Sequence, residues 1–214
     1  ADLLESKRAN SLGANFFDGG IFGLASAELS TGAFRLMHLR DEAALPDELS
    51  RLAASEIVVS EQQVTRLNNL AVALPYDHYA FLPENARFTL CEHFKVKSLD
   101  GFGCSEMNEA IGAAGAIVHY LKHQLRRKID HLATLRCEAP SDHVVLDAAT
   151  QSNLELVSSR GARDTSLLAA LDRTVTPMGG RRLRSWILQP IRDLGELGQR
   201  QQFIENLVGE PDLL

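Results

Sequence analysis

Two histidines are the first candidates for chemistry in this chain. His119 and His123 stand four residues apart within a helical pattern, a spacing that puts both imidazoles on one face, as in many metal sites. The pair lacks the glutamate of the H-E-x-x-H motif, and a third ligand such as His131 would have to be brought in by a turn. We therefore expect no metal site and interpret the two residues as surface or half-buried histidines.

Carboxylates and glycine-rich segments offer no clearer catalytic site. Glu28 ends a candidate strand, where two-metal chemistry often places one of several carboxylates, but the later strands supply only Glu56 and Asp77. The segments "DGG", "DGFG" and "PMGG" lack the G-x-x-x-x-G-K-[ST] pattern of a phosphate-binding loop. The residues therefore predict no catalytic site, no cofactor site and no enzyme activity for this chain.

A basic segment is the remaining candidate. Arg181, Arg182 and Arg184 lie within "TPMGGRRLRSWILQP", and no acid occurs between residues 173 and 192. These arginines fit contacts with phosphates, and they equally fit packing against neighbouring carboxylates. Trp186 shares a helical stripe with nearby leucine and isoleucine, so we expect it to be a structural anchor. A second basic stretch, residues 122–128, suits the carboxyl end of a helix.

Composition narrows the class of protein. The net charge is −6 and 45% of the 214 residues are hydrophobic, which predicts a globular protein whose nucleic-acid contacts would need a local basic patch. The three cysteines form no CxxC pair, which disfavours a zinc knuckle or a disulfide framework and fits a reducing cytoplasm. No apolar stretch approaches the roughly 20 residues of a membrane span, so we expect no membrane association.

The first half of the chain reads as α/β. Residues 21–29 and 33–39 predict a hairpin around a glycine-containing turn, with one buried face. A helix over 47–54, a buried strand "EIVVS", a short helix in "EQQVTRLNNL" and a strand in "LPYDHYAFLP" follow. Residues 106–128 predict the clearest helix, in which Gly112 and Gly115 indicate close packing against a neighbour.

After residue 140 the sequence predicts helices and no further strand beyond a brief extended "HVVLD". Asp147 and Asp164 are candidate caps for two short helices, the second with a leucine stripe. Thr176 and Pro177 predict the start of a third helix. Asp193 with Glu196 resembles a capping box for a last helix, with Leu197, Ile204, Leu207 and Val208 as a buried stripe that Gly209 and Pro211 end.

Several segments resemble the MutS family of DNA mismatch-repair proteins. "LDAATQSNLEL", "SLLAALDRTVTPMGGRRLRSWILQP" and "RQQFIENL" are similar to the opening of the family's core domain. "GLASAELSTGAFRL", "ELSRLAASEIVVSE", "DGFG" and "AAGAIVHYLKHQ" are similar to its connector domain, and "KRANSLGA" resembles the preceding linker. The resemblance implies a linker over 1–20, a ribonuclease-H-like α/β connector over 21–140, and the start of the all-α core over 141–214.

The resemblance also implies a function. This piece would transmit conformational change between mismatch-reading and ATPase domains outside it, and would help dock MutL, with "NARFTLCEHF" the expected docking segment. The parent would be a cytoplasmic homodimer that binds mismatched double-stranded DNA and hydrolyses ATP with Mg²⁺, while this piece holds no cofactor. Two alternatives stay open: a free-standing ribonuclease-H-like nuclease, and a non-catalytic interaction scaffold.

Overall fold

A computed structural model of the protein describes residues 11–52, 54–66, 73–139, 142–144, 146–159, 161 and 164–209. The described residues fall into two compact units, one holding those up to Ala139 together with Thr174–Arg181, the other those of 140–173 and 182–214. The strands are β1 Ser11–Asp18, β2 Ile21–Glu28, β3 Ala33–Leu39, β4 Glu56–Ser60, β5 Ala73–Tyr76 and β6 Thr134–Cys137. The helices are α1 Leu45–Leu52, α2 Pro83–Phe94, α3 Asn108–His119, α4 Ala148–Asn153, α5 Leu167–Leu171, α6 Pro177–Leu188 and α7 Leu194–Gly209.

The first unit is built on a six-stranded mixed sheet with the order β5-β4-β1-β2-β3-β6. β1, β2 and β3 are antiparallel, whereas β4 is parallel to β1, β5 to β4, and β6 to β3. The predicted hairpin is confirmed, and Gly32 in its turn has a φ of 75°, a conformation that glycine adopts without strain. β1 pairs with β2 and β4, so Ser11–Asp18 form a strand where the sequence predicts a linker over 1–20.

Both faces of the sheet are covered, because alternate strand residues enter two separate apolar cores. Leu36 of β3 packs in the core beneath α2 and α3, while Met37 and Leu39 pack in the other core with Leu45 and Leu49 of α1. The expectation of a single buried face for this strand is therefore wrong. Each face gains its own helical cover, which is the arrangement of an α/β layer fold.

Helix α3 lies against the sheet and against α2 with little space between the backbones. A Cβ atom on Gly23 of β2 would stand 1.9 Å from the carbonyl carbon of Glu109. Cβ atoms on Gly112 and Gly115 would stand 2.4 Å from the Phe81 oxygen and the Ala86 Cβ. The predicted close packing at both helical glycines is confirmed, since any larger residue would force the elements apart.

The long helix ends earlier than the sequence pattern predicts. α3 passes into a π-helical turn, Tyr120–Gln124, and Arg126 then has a φ of 48°. A non-glycine residue in this region cannot continue a right-handed helix. Residues 126–128, predicted as the basic end of the helix, therefore belong to the turn that follows it.

A buried ion pair lies on α1. Glu48 and Arg51 are both nearly inaccessible to solvent and contact each other one turn apart. Burial raises the pKa of the Glu48 carboxyl, an effect that the Arg51 charge opposes. The Arg51 guanidinium also reaches the Met37 sulfur at 3.7 Å, so the pair sits against the sheet core. The pair was not predicted from the sequence.

The second unit is helical apart from one bridge between His143 and Ile191. Asp147 caps α4 by accepting from the Thr150 amide at 2.6 Å, as predicted. α5 is capped by Ser166, whose hydroxyl accepts from the Ala169 amide, so Asp164 is not the cap; its carboxylate instead accepts from the Ser166 amide. Ser166 is fully buried, which favours its short hydroxyl at this position.

The last helix has its predicted start but not its predicted burial. Asp193 accepts from the Glu196 amide at 2.8 Å, and α7 ends at Gly209. Ile204 and Val208, expected to be buried, are 45% and 72% exposed. In the leucine stripe of α5, Leu167 and Leu171 are likewise exposed. The periodicity identified an apolar side on each helix, and the described residues cover that side only in part, since Leu168, Leu197 and Leu207 are half-buried.

Two predicted features lie partly outside the described residues. The "EQQVTRLNNL" helix is a short 3-10 turn at Val64–Arg66, and Leu67 is outside the described part. Pro211, expected to end α7, is also outside it. In the described part of the chain, no helix combines the length and apolarity needed to cross a membrane.

Candidate functional site

The basic segment forms α6, whose start follows from local chemistry. Thr176 accepts from the Gly179 amide at 3.1 Å, and Pro177 occupies the first helical position, where its missing amide hydrogen costs nothing. Arg182 is exposed, whereas Arg181 and Arg184 are half-buried. Each of the three arginines takes part in a noncovalent interaction within the chain. Their predicted contact with phosphates stays a prediction.

Trp186 lies between two guanidinium groups of the second unit. The Cζ of Arg200, on α7, is 4.4 Å from the centroid of the indole ring, and that of Arg182 is 5.4 Å from it. Arg200 is held in turn by Glu196 at 3.1 Å. Among the described residues, the buried indole Nε1 finds no hydrogen-bond acceptor. The indole ring is half-buried. The contact of its face with the Arg200 guanidinium joins α6 to α7.

The two histidines of the long helix are occupied by other contacts. The rings of His119 and His123 lie 4.3 Å apart, and Nδ1 of His119 is 2.8 Å from the Tyr76 hydroxyl. Burial and the His123 charge lower the pKa of His119, against the opposing effect of Asp77. No group of three or more metal-ligating side chains occurs in the described ranges.

The carboxylates weighed for two-metal chemistry do not converge. Glu28 accepts from the Ser30 hydroxyl at 2.6 Å, so it closes the β2–β3 turn. Asp77 caps a 3-10 turn by accepting from the Tyr79 amide at 2.9 Å. Glu56 is exposed at the start of β4. Each carboxylate thus has a local position or partner of its own, and none belongs to a group of three or more metal-ligating side chains in the described part of the chain.

An exposed aromatic surface on α2 is a candidate that sequence reasoning located only as a segment. Phe88 is 71% exposed, whereas Ala86 and Leu90 on either side of it are fully buried. Tyr79, which precedes α2, is 58% exposed, and its carbonyl accepts from the Asn85 amide group. The period of the helix was the available signal, since Ala86 and Leu90 are four residues apart and Phe88 falls on the opposite side.

Two family models match this chain. MutS domain II matches residues 10–133, and MutS domain III matches residues 149–214. The chain is 36% identical over 225 aligned positions to the DNA mismatch repair protein MutS of Protochlamydia amoebophila (strain UWE25), with all of this chain covered. It is 38% identical over 230 positions to the DNA mismatch repair protein MutS of Thermosynechococcus vestitus (strain NIES-2133 / IAM M-273 / BP-1), with 99% covered. The alignments cover 26% of each relative, so the chain spans about a quarter of their length.

Proposed function

Because the chain belongs to the MutS family of DNA mismatch-repair proteins, we propose that it is the part that transmits conformational change between mismatch recognition and ATP hydrolysis. The parent protein would act in the cytoplasm as a homodimer on mismatched duplex DNA. ATP and Mg²⁺ would be held outside these residues, which include no phosphate-binding loop. Domains II and III would correspond to the connector, beginning at β1, and to the start of the core, near residue 141.

Sheet topology supports the ribonuclease-H-like label for the connector. Three consecutive antiparallel strands, β1 to β3, are followed by β4 and β5, which add in parallel beside β1. The scattered positions of Glu28, Glu56 and Asp77 fit a member of that fold that does not cut nucleic acid. We infer that the fold was kept for its rigidity.

Close backbone packing carries the proposal of a mechanical role. Gly23 and Gly115 bring α3 against β2 and α2 at distances that leave no room for a Cβ atom. Elements packed in this way move together, because close-packed interiors transmit displacement instead of absorbing it. Force applied at one end of the unit would reach the other end with little loss.

The proposal is tested in a chimera in which this chain replaces the matching quarter of the Protochlamydia relative. We expect the chimera to restore a low mutation rate in a bacterial strain without its own MutS. A Gly23→Ala chimera should still bind mismatched DNA and hydrolyse ATP, but ATP should release it from the mismatch at least several-fold more slowly. Gly101→Ala, where no atom lies within 4 Å of a new Cβ, is the matched control. Normal release by the Gly23→Ala chimera would contradict the relay.

MutL docking is proposed for the α2 surface around Phe88. The exposed ring, bordered by Tyr79, offers the kind of aromatic anchor that interfaces favour. In the chimera, Phe88→Ala should weaken MutL capture on mismatched DNA at least tenfold, with ATP hydrolysis unchanged. Phe203→Ala is a matched control, because Phe203 is 64% exposed on α7. Equal loss in both variants would remove the α2 surface as the docking site.

A cleavage assay distinguishes the nuclease alternative from the proposed relay. We expect the purified chain to cleave neither DNA nor RNA–DNA hybrids in the presence of Mg²⁺ or Mn²⁺. Robust cleavage that is lost in Glu28→Gln would establish the nuclease instead. Glu42→Gln serves as the control, since Glu42 is exposed and is not among the candidate metal ligands.

A further inference from the structure

A cluster of cations on the first unit has no role in the proposed relay. The turn after α3 has the sequence KHQLRRK, and we name residues 122–128 the basic turn. From Lys122 to Arg136 the chain carries five lysines and arginines, two histidines and one acid, Asp130. The whole chain has a net charge of −6, so this cluster is a local reversal of sign.

The backbone of the basic turn is closed by its own hydrogen bonds. The Leu125 amide donates to the Tyr120 carbonyl at 3.1 Å, and the Arg127 amide donates to the Leu121 carbonyl at 2.9 Å. Arg126, with its positive φ, redirects the chain away from the helix. Leu121 and Ile129, on either side of the turn, are buried and anchor it. The backbone that carries these charged side chains therefore has a fixed conformation.

The three cations at the end of the basic turn form no ion pair with the described residues. Arg126, Arg127 and Lys128 are exposed, and in the described part of the chain they form no ion pair with a carboxylate. Other arginines of the same unit are used differently: Arg35 pairs with Glu138 at 3.4 Å, and Arg51 pairs with Glu48. Cations that stabilised only the fold would be expected to have such partners.

A second cationic turn lies beside the first. α2 ends at Phe94, its C-cap Lys95 has a φ of 57°, and Lys97 lies two residues further on; both lysines are exposed. His93, in the last turn of α2, contacts the Leu132 carbonyl through Nε2 at 2.8 Å. This contact joins the end of α2 to the segment that leaves the basic turn. The charges of Lys122 and Asp130 both act on the pKa of His93, so the two turns lie near each other on a surface that also holds Asp130.

The surroundings indicate a phosphate ligand. The exposed apolar residues on the two turns are Leu125 and Val96, neither turn carries a Phe, Tyr or Trp, and the exposed imidazole of His123 lies against that of His119, with ring centroids 4.3 Å apart. Such a surface lacks both the stacking residues of single-strand binding and the apolar area of membrane insertion. Fixed cations without base-reading groups suit the regularly spaced phosphates of a duplex.

We propose that the basic turn, with Lys95 and Lys97, binds the sugar-phosphate backbone of duplex DNA without reading its sequence. This surface goes beyond the relay proposed above, which assigns no DNA contact to this unit. Four neutralised phosphates would give a salt slope of about −3.6 in log affinity against log salt. The affinity should then fall about 10²-fold between about 50 and 200 mM salt.

The test uses the full chain and a short, fully paired, fluorescent DNA duplex. The triple variant Arg126→Gln, Arg127→Gln and Lys128→Gln should flatten the salt slope by about 1 per cation, hence by about 3, and weaken binding at low salt at least tenfold. The control, Arg40→Gln with Arg173→Gln and Arg192→Gln, removes the same charge from exposed positions outside the two turns. Arg40 follows β3, at the opposite end of that strand from His131, whose carbonyl adjoins Gly32.

Each outcome decides the proposal, provided that melting curves show both variants folded. Loss in the triple variant alone, with two unrelated duplex sequences bound equally well, supports it. Equal loss of affinity in the control would mean that binding depends only on net charge, and would overturn the proposal. Tighter binding to the single strand, or binding to anionic phosphatidylserine vesicles without binding to duplex, would also overturn it. None of these readings needs a mismatch, ATP or MutL, so failure here leaves the relay proposal standing.

Discussion

Replacing Trp186 tests how far the indole ring holds α6 and α7 together. The ring is half-buried, so its apolar burial is worth about 1–1.5 kcal/mol, roughly half the value of a fully buried large side chain. Guanidinium groups 4.4 and 5.4 Å from its centroid add about 0.5–1 kcal/mol each. We therefore expect Trp186→Ala to lower the free energy of unfolding by about 2–3.5 kcal/mol and Tm by about 4–14 °C.

The assay is urea unfolding followed by far-ultraviolet circular dichroism, because a salt-based denaturant would screen the guanidinium contacts. Trp186→Leu keeps apolar bulk but removes the π face, so it should cost about 1–2 kcal/mol. In a double-mutant cycle with Arg200→Gln, the coupling should be about 0.5–1 kcal/mol. Val175→Ala, at a site 92% exposed, should change stability by less than about 0.5 kcal/mol.

Two results would refute this reasoning. A loss above about 4 kcal/mol in Trp186→Ala would mean that the ring is fully buried, as a core position would be. An unchanged stability in Trp186→Leu, with no coupling to Arg200, would mean that the guanidinium contacts contribute nothing. Since Trp186 is the sole tryptophan, its fluorescence in the unaltered chain also reports directly on this contact during unfolding.

Three further predictions concern the first unit. Gly115→Ala should destabilise the chain by about 1–3 kcal/mol in thermal melts, because the new Cβ meets Ala86 at 2.4 Å. Gly101→Ala, where the new Cβ enters open space, should leave stability unchanged. Equal melting temperatures of the two variants would contradict the close packing. Arg51→Met should lower the free energy of unfolding by about 3 kcal/mol at neutral pH, because it leaves Glu48 buried without its partner. This loss of stability should shrink on acidification, as Glu48 is protonated. A loss that does not depend on pH would count against a buried charge at Glu48. Burial is the main cause that lowers the pKa of His38, His93 and His119 in the folded state. The unfolded chain therefore binds more protons, and the free energy of unfolding should fall as pH drops through about 6.5. A flat profile from about pH 7 to about 5.5 in urea titrations would refute this.

Local sequence signals predicted the elements whose residues settle their own conformation. The β2–β3 hairpin followed from a glycine turn between apolar runs, and the caps at Asp147 and Thr176 followed from short polar side chains before helical patterns. Gly112 and Gly115 indicated a close neighbour before the neighbour was known. In each case one or two residues determine the geometry through sterics or a single hydrogen bond.

Features that depend on distant partners were missed. β1 reads "SLGANFFD", with small and polar residues that show no clear alternation, yet it lies between β2 and β4 and is buried almost throughout. Its Gly13 and Ala14 are small because other elements come close on both sides, information that the local sequence does not contain. The end of α3 was misplaced for a similar reason, since the left-handed Arg126 is imposed by the packing around the turn.

The candidate surfaces show the same division. Periodicity predicted an apolar side on α5 and α7 but not whether anything covers it, and Ile204 and Val208 are exposed. Composition identified the arginines of α6 as a group, whereas the contact of Arg200 with Trp186 joins two helices and needs the fold. The unpaired state of the basic turn likewise depends on which carboxylates the fold brings near.

The position of β6 has a consequence for how the protein is made. β6 pairs with β3, although about a hundred residues of synthesis separate them, which at about 5–20 residues per second takes roughly 5–20 s. During that interval the nascent chain carries β3 as a bare edge with unpaired amides, the form of strand that most readily joins another chain. Any delay in the synthesis of β6 therefore lengthens the time during which this edge is open to pairing with another chain.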